Sequence, residues 1–188
     1  MRAAIWIKIF LFLFSSACQQ GPKSIYETIA QEVDQLESME AQQAFLETIL
    51  RKDQDVRTKD SELLQQYGIN SPEYQENARK IIQQDQINQI KIDQYLSKFP
   101  YPSKKQMGQD AAMVPWLVIH HNTDLSQRNS YFSMLQEAYQ NEDISSTQFC
   151  LYLGRSHEFA FGNRLQMESP YTEEDEIRAL IKALDLEN

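Results

Sequence analysis

Two long helical patterns separated by one short break constrain the fold more than any other feature of this sequence. Gly68 is typical of the residue just past a helix C-terminus, and Ser71-Pro72 is typical of an N-cap followed by the first helical residue. These signals predict one helix over residues 39 to 67 and another over residues 72 to 98, ended by Pro100. Because the connection between them is short, the two helices are expected to pack antiparallel.

Further capping signals divide the rest of the chain. Ser24 with Glu27 and Ser145 with Gln148 have the spacing of capping boxes, and Thr172 precedes an acidic first turn. They predict helices from 24 to about 37, from 145 to about 156 and from 172 to about 184, with a further helix over 127 to 140.

The overall composition agrees with a helical protein. The 188 residues include only five Gly and six Pro, and their number fits one domain that can bury its own core. Alternation on both sides of Phe161-Gly162-Asn163 predicts a small β-hairpin over residues 158 to 167. The expected fold is therefore mainly α: a compact antiparallel helical bundle-like domain with a small β-hairpin near the C-terminus.

The two long helices each present a stripe that is apolar at its ends and polar in its middle. In the first helix the polar middle contains Asp53 and Arg57, spaced for an i,i+4 pair. In the second it contains Asp85 and Asn88, which lie one turn apart. Burying an unpaired carboxylate costs several kcal/mol, so these groups must be paired or reach water. The pattern is compatible with a gap facing solvent, a structural network that fixes helix register, or a ligand or catalytic pocket.

The most apolar segment of the chain after its N-terminal part is Trp116-Leu117-Val118-Ile119-His120-His121. We predict a helix over residues 109 to 121, kinked at Pro115; a strand over 114 to 120 is the alternative. On a helix, His120 shares the apolar stripe of Trp116, and His121 is turned away by about 100°. His121 is therefore the histidine expected to face the polar middles.

His121 is the candidate for acid–base chemistry, with Asp53 or Asp85 as its partner. The favourable position of a histidine at a helix C-terminus is a simpler explanation for its presence. Adjacent histidines diverge on a helix, and no HxxxH or CxxC spacing occurs, so we expect no metal site. The sequence also has no G-x-S-x-G elbow and no phosphate loop, and we expect no cofactor.

The N-terminal residues predict an export signal. Arg2 and Lys8 precede an apolar stretch that is too short to span a bilayer, and small residues then lead into Cys18. This arrangement resembles the lipobox of bacterial lipoproteins, although Ser15 stands where an aliphatic residue is usual; an ordinary secretory leader is the alternative. We expect a signal peptide over 1 to 17, an acylated Cys18, a linker over 18 to 24 and a single helical domain over 25 to 188.

Lipidation would make the lipid bilayer a partner, because two acyl chains anchor a protein stably. By resemblance to the sorting rule of enterobacteria, Gln19 indicates the outer membrane, facing the periplasm or the surface. The net charge of −9 argues against nucleic acids as partners. With Cys18 acylated, Cys150 has no intramolecular partner, and no disulfide is expected. The sequence does not identify a protein or small-molecule partner.

The chain resembles an uncharacterised bacterial family called domain of unknown function 6624, whose members are often lipoproteins or secreted domains. The likeness spans about residues 45 to 185. It rests on Asp53-Gln54-x-x-Arg57, Asp85-x-x-Asn88, Pro102 through Gly108, Trp116 through His121, Gln127, Tyr152-Leu153-Gly154-Arg155 and Gln166.

The resemblance implies that His121 is the matched histidine and that Gln54, Arg57, Asn88, Arg155 and Gln166 are candidate binding residues. It supplies no known reaction. This chain has Gly154 where the family usually has Asp, and Met167-Glu168-Ser169 after Gln166 where the family has an aromatic-Gly-Thr-Gln run. These departures put in doubt any activity that the family has.

Three hypotheses follow for the function. The first is a lipid-anchored envelope domain that binds a ligand or a partner at a central polar site. The second is an envelope hydrolase or transferase with His121 as base, Asp53 or Asp85 orienting it and Arg57 or Arg155 holding an anion. The third is a structural lipoprotein whose polar middle is a closed network.

Overall fold

The computed structural model describes residues 24–186, and the predicted lipobox and the acylated Cys18 lie outside them. The described residues form eight helices and no strands. The helices are α1 (Ile25–Asp34), α2 (Met39–Tyr67), α3 (Pro72–Lys98), α4 (Lys104–His121), α5 (Leu125–Ser130), α6 (Phe132–Gln140), α7 (Ser146–Phe161) and α8 (Glu173–Ala183).

The sequence signals for helix ends operate as expected. Ser24, Ser145 and Thr172 each form a capping box at the start of α1, α7 and α8. Gly68, with a φ of 81°, ends α2, and Ser71 accepts a hydrogen bond from the Tyr74 amide at the start of α3. The long α2–α3 pair is therefore confirmed with its predicted boundaries.

The predicted β-hairpin is wrong. Residues 158 to 161 continue α7 for one more turn, and Gly162 ends the helix with a φ of 76°. The alternation around Gly162 covers too few residues to compete with helical hydrogen bonds already in place. The chain from 163 to 172 then runs without regular secondary structure to the start of α8.

The segment ending at the two histidines is a helix, so the strand alternative for residues 114 to 120 is wrong. Pro115 lies inside α4, and Gly108, with a φ of 83°, separates the first turn of α4 from the rest. Pro115 lies seven residues after Gly108, beyond the first turn, so it removes the hydrogen bond that an amide at this position would donate to Ala111 O. The non-helical backbone in α4 is at Gly108, and not at Pro115, where the sequence predicted a kink.

The core consists of two apolar clusters that share α4. On one side Val114 and Val118 pack with α1, α2 and α3 around Leu46 and Ile92. On the other side lies a second cluster, built with α6, α7 and α8 and including Trp116, Ile119, Leu135, Phe149, Leu153 and Leu180. Burial on two sides explains why the α4 sequence is almost continuously apolar. His121 is the C-terminal residue of α4.

Within residues 24–186 no helix has both the length and the apolar character needed to cross a bilayer.

Candidate functional site

The polar middles of the two long helices meet at the end of α4. The Nε of Arg57 donates to both carboxylate oxygens of Asp53, at 3.2 and 3.1 Å. Its Nη2 donates to Asp85 Oδ1 at 2.5 Å and lies 2.6 Å from His121 Nδ1. One guanidinium thus connects α2, α3 and α4. We refer to Asp53, Arg57, Asp85 and His121 as the central cluster.

The central cluster opens to solvent on one side. The Asp53 side chain is 1% exposed, and His121, Arg57 and Asp85 are 18%, 28% and 29% exposed. Asp53 therefore forms the floor, and the other three side chains are reachable from water. A network made only to fix helix register would not require this opening.

The two carboxyl groups of the central cluster have pKa values displaced in opposite directions. Burial opposes ionisation of Asp53, but the charge of Arg57 and its hydrogen bonds to both carboxylate oxygens favour the ionised form, so the pKa of Asp53 lies below its ordinary value. Burial is the main cause that raises the pKa of Asp85 and outweighs the opposing charge of Arg57; the negative charge of Asp53 contributes a smaller increase. Two like charges that share one cation titrate as a pair, and the more accessible Asp85 is the member that takes up a proton first.

The position of the His121 proton follows from the two contacts of Nδ1. Nδ1 lies 2.6 Å from Arg57 Nη2 and 3.3 Å from Asp53 Oδ1. It can accept from Arg57 only without a proton, and can donate to Asp53 only with one. The shorter contact assigns Nδ1 as the acceptor, which places the proton of the neutral ring on Nε2.

Three groups of the central cluster have no hydrogen-bond partner among residues 24–186. They are Arg57 Nη1, His121 Nε2 and Asp85 Oδ2. With the tautomer assigned above, the first two are donors and the third is an acceptor. The central cluster therefore offers a mixed set of donors and an acceptor to a ligand.

The cluster also contains three groups of the type that bind metals. One ligand atom each from Asp53, Asp85 and His121 lies within 4.8 Å of the others. The Nη2 of Arg57 lies between them, in contact with Asp85 and His121. A divalent cation would be repelled by this guanidinium and would have to displace it. The donor set thus fits a metal poorly unless Arg57 moves.

The remaining predicted binding residues lie at different distances from the central cluster. Gln54 donates to Asp53 Oδ2 at 2.9 Å and is therefore in direct contact with the central cluster. Asn88 is buried one turn after Asp85; its Oδ1 accepts from Gln84, and its Nδ2 has no partner. Arg155 contacts the Phe159 ring on α7, and Gln166 is exposed in the segment after α7. Neither forms a hydrogen bond with the central cluster.

Arg128 is the important side chain that the sequence analysis missed. It is fully buried and donates to the backbone oxygens of Ile119, His120 and Asn122 at the end of α4, at 2.8 to 3.1 Å. It also donates to Tyr152 O and to Ser156 Oγ on α7. Burial lowers the pKa of Arg128 to about 10, which leaves it charged at neutral pH. Arg128 thereby caps α4 and positions His121.

A second polar network holds the loop after α4 against α3. Asn122 donates to Gln89 Oε1 at 3.0 Å and to Gln127 Oε1 at 2.8 Å. Gln89 and Gln127 donate in turn to Asp93, and the Tyr131 hydroxyl donates to the same carboxylate. All of these contacts are internal, so the network has a structural role, and Gln127, one of the residues on which the family resemblance rests, belongs to it.

Two surface cavities are present among the described residues, and no residue of the central cluster lines either of them. The larger is an open groove of about 960 Å³ between the start of α4 and α6, and its lining includes long polar side chains such as those of Lys104, Gln106 and Glu137. The smaller, about 180 Å³, is lined by His120 and Arg155. The residues that line the groove include no cluster of paired charged groups comparable to the central cluster. We therefore place the candidate site at the central cluster.

Comparisons of this chain with family models, with curated proteins and with solved structures gave no match.

Proposed function

We propose that this protein is a lipid-anchored cell-envelope domain that binds an uncharged polar ligand at the central cluster. The observation that carries the proposal is the arrangement of Arg57, Asp85 and His121 around the buried Asp53, with one unpartnered group on each of the three accessible side chains. The lipid anchor and the envelope location rest on the sequence before residue 24.

The charge of the site indicates the class of ligand. With His121 neutral, two carboxylates face one guanidinium, so the central cluster has an excess of one negative charge. The chain as a whole carries −9. Both features disfavour an anion. Two donors beside one acceptor fit a ligand rich in hydroxyl or amide groups, which offers lone pairs and protons at neighbouring atoms.

Acid–base catalysis is the second candidate function, favoured by the 3.3 Å separation between His121 Nδ1 and Asp53 Oδ1. A histidine that acts as a base needs its proton on Nδ1, held by the carboxylate, so that Nε2 is free to accept. In the observed arrangement Arg57 occupies Nδ1 instead. Catalysis would require Arg57 to release the ring, so binding is the simpler function for this geometry.

A thermal-shift screen of the full chain tests the proposal. The panel contains neutral sugars, N-acetylglucosamine as a ligand with hydroxyls and an amide, and sugar acids as anionic counterparts. A ligand at about 100 times its Kd should stabilise the fold by roughly 2.7 kcal/mol. We expect a neutral ligand to raise Tm, and Arg57→Ala and His121→Ala to abolish the shift.

The matched control is Arg51→Ala, which removes an exposed arginine from an i,i+4 pair with Asp55 on the same helix. It should leave the ligand shift unchanged. A ligand shift that survives alanine at Asp53, Arg57, Asp85 and His121 together would place the ligand elsewhere and overturn the proposal. Hydrolysis of a panel compound, lost in both His121→Ala and Asp53→Asn, would support catalysis instead.

A further inference from the structure

A second, smaller site lies on the other face of the histidine pair. His120 stacks on Trp116 with ring centroids 5.2 Å apart and faces a cavity of about 180 Å³ between α4, α7 and α8. The cavity therefore fits a ligand much smaller than a typical drug molecule.

Two nitrogen atoms on residues that line this cavity are inaccessible to water and have no hydrogen-bond partner among residues 24–186. They are His120 Nδ1 and Arg155 Nε. Buried polar groups in folded proteins nearly always have a partner, so each unpaired one requires an explanation. Both belong to residues that line the same cavity, but water reaches neither atom, so a ligand in the cavity contacts the accessible parts of these side chains rather than the two nitrogens.

The charged groups of the cavity leave one cation and one anion unpaired. Arg164 donates to Glu158 Oε1 at 2.7 Å, and this pair neutralises itself. Within residues 24–186, neither Arg155 nor Glu176 has an ion-pair partner. Glu176 contacts the Cys150 thiol, whose pKa is raised to about 12 by burial and by the neighbouring carboxylates. The thiol is therefore neutral and leaves the charge of Glu176 uncompensated.

The apolar part of the wall completes the description of the ligand. Leu151, Leu165 and Leu180 line the same cavity and offer it a branched aliphatic surface. A ligand that matches all of these features has a carboxylate, an ammonium and a small aliphatic body.

We propose that this cavity binds a small zwitterion of the amino-acid class, independently of the central cluster. Its carboxylate pairs with the guanidinium of Arg155, its ammonium donates to Glu176, and its side chain packs against Leu151, Leu165 and Leu180. Binding would compensate the two unpaired charges at once.

Isothermal titration calorimetry on the full chain with three related probes tests this proposal. The probes are leucine, isocaproate, which lacks the ammonium, and isoamylamine, which lacks the carboxylate. We expect leucine to bind and each single-charge analogue to bind weaker by on the order of tenfold or more. Both analogues are smaller than leucine, so a loss of affinity cannot come from a steric clash.

Variants of the two charged residues locate the binding. Arg155→Gln and Glu176→Gln should each weaken leucine binding by on the order of tenfold. Glu174→Gln is the matched control, an exposed glutamate two residues earlier on α8 that does not line the cavity. The imidazole NMR signals of His120 should shift on adding leucine even if one of the variants fails to fold.

Three results would overturn the proposal. One is the absence of leucine binding together with no shift of the His120 signals. Another is isocaproate binding as tightly as leucine, which would identify a plain anion site. The last is binding that Glu176→Gln leaves unchanged in a folded variant.

Discussion

Replacing Asp53 by alanine tests the central cluster through its effect on stability. Asp53 is buried, and its two oxygens accept three contacts from Arg57 and Gln54. Asp53→Ala removes both carboxylate oxygens to which Nε of the half-buried Arg57 donates. Breaking a buried pair by removing one partner costs about 3–5 kcal/mol. For a domain of this size each kcal/mol lowers Tm by roughly 2–4 °C, so we expect Tm to fall by about 6–20 °C.

The matched control is Asp55→Ala on the same helix. Asp55 forms an exposed i,i+4 pair with Arg51 at 3.9 Å, and its loss should cost within about 0.5 kcal/mol. The assay is urea unfolding followed by circular dichroism, which gives the free energy of unfolding for each variant.

A double-mutant cycle separates the pair from other effects of the substitution. Arg57→Ala removes the cation, and the double variant Asp53→Ala with Arg57→Ala leaves no unpaired buried charge. We expect a coupling free energy of at least about 1 kcal/mol between the two positions. If Asp53→Ala costs no more than Asp55→Ala, or the two substitutions are additive, the ion pair does not form as described.

Three further predictions concern protonation and the end of α4. The folded-state pKa of Asp53 lies below its unfolded value, so its contribution to stability is complete above about pH 4 and is lost as the pH falls through the folded pKa. In urea titrations, the difference in unfolding free energy between the unmodified chain and Asp53→Asn should therefore shrink as the pH falls below about 4. The pKa of Asp85 is raised in the folded state, so its contribution to stability is complete below the unfolded pKa and is lost as the pH rises through the folded pKa. Asp85→Asn should therefore leave Tm at pH 7 unchanged or higher. A fall in Tm comparable to that of Asp53→Ala would contradict the raised pKa of Asp85. Arg128→Ala should destabilise the fold by about 3–5 kcal/mol in urea unfolding and shift the His121 NMR signals, whereas exposed Arg178→Ala should do neither.

The sequence predicted the cluster because periodicity and spacing contain the relevant information. Asp53 and Arg57 lie one turn apart on a helix whose caps fix its length, so their shared face follows from geometry. The same reasoning separates His120 from His121 by their angle around α4. What the sequence does not contain is the register of α2 against α3, which decides that Arg57 reaches Asp85 as well as Asp53.

Other features depend on packing that no local pattern records. Arg128 acts through backbone oxygens of α4 and α7, and any residue type can provide a backbone oxygen, so the sequence contains no signal for its partners. Arg155 was expected at the central site from a family resemblance, but α7 places it at the cavity on the His120 side. The hairpin expected over residues 158 to 167 is absent because α7 extends to Phe161.

The most direct test of the central claim is a titration of the full chain with N-acetylglucosamine and neutral sugars, observed at the imidazole nitrogens of His121 by NMR. Before ligand is added, we predict a neutral ring with its proton on Nε2 and an accepting Nδ1. Ligand binding should shift Nε2 of His121, and Arg57→Ala should abolish this shift while Arg51→Ala preserves it. A His121 ring that carries its proton on Nδ1, or that does not respond to any neutral ligand which raises Tm, would contradict the claim that the central cluster is a binding site.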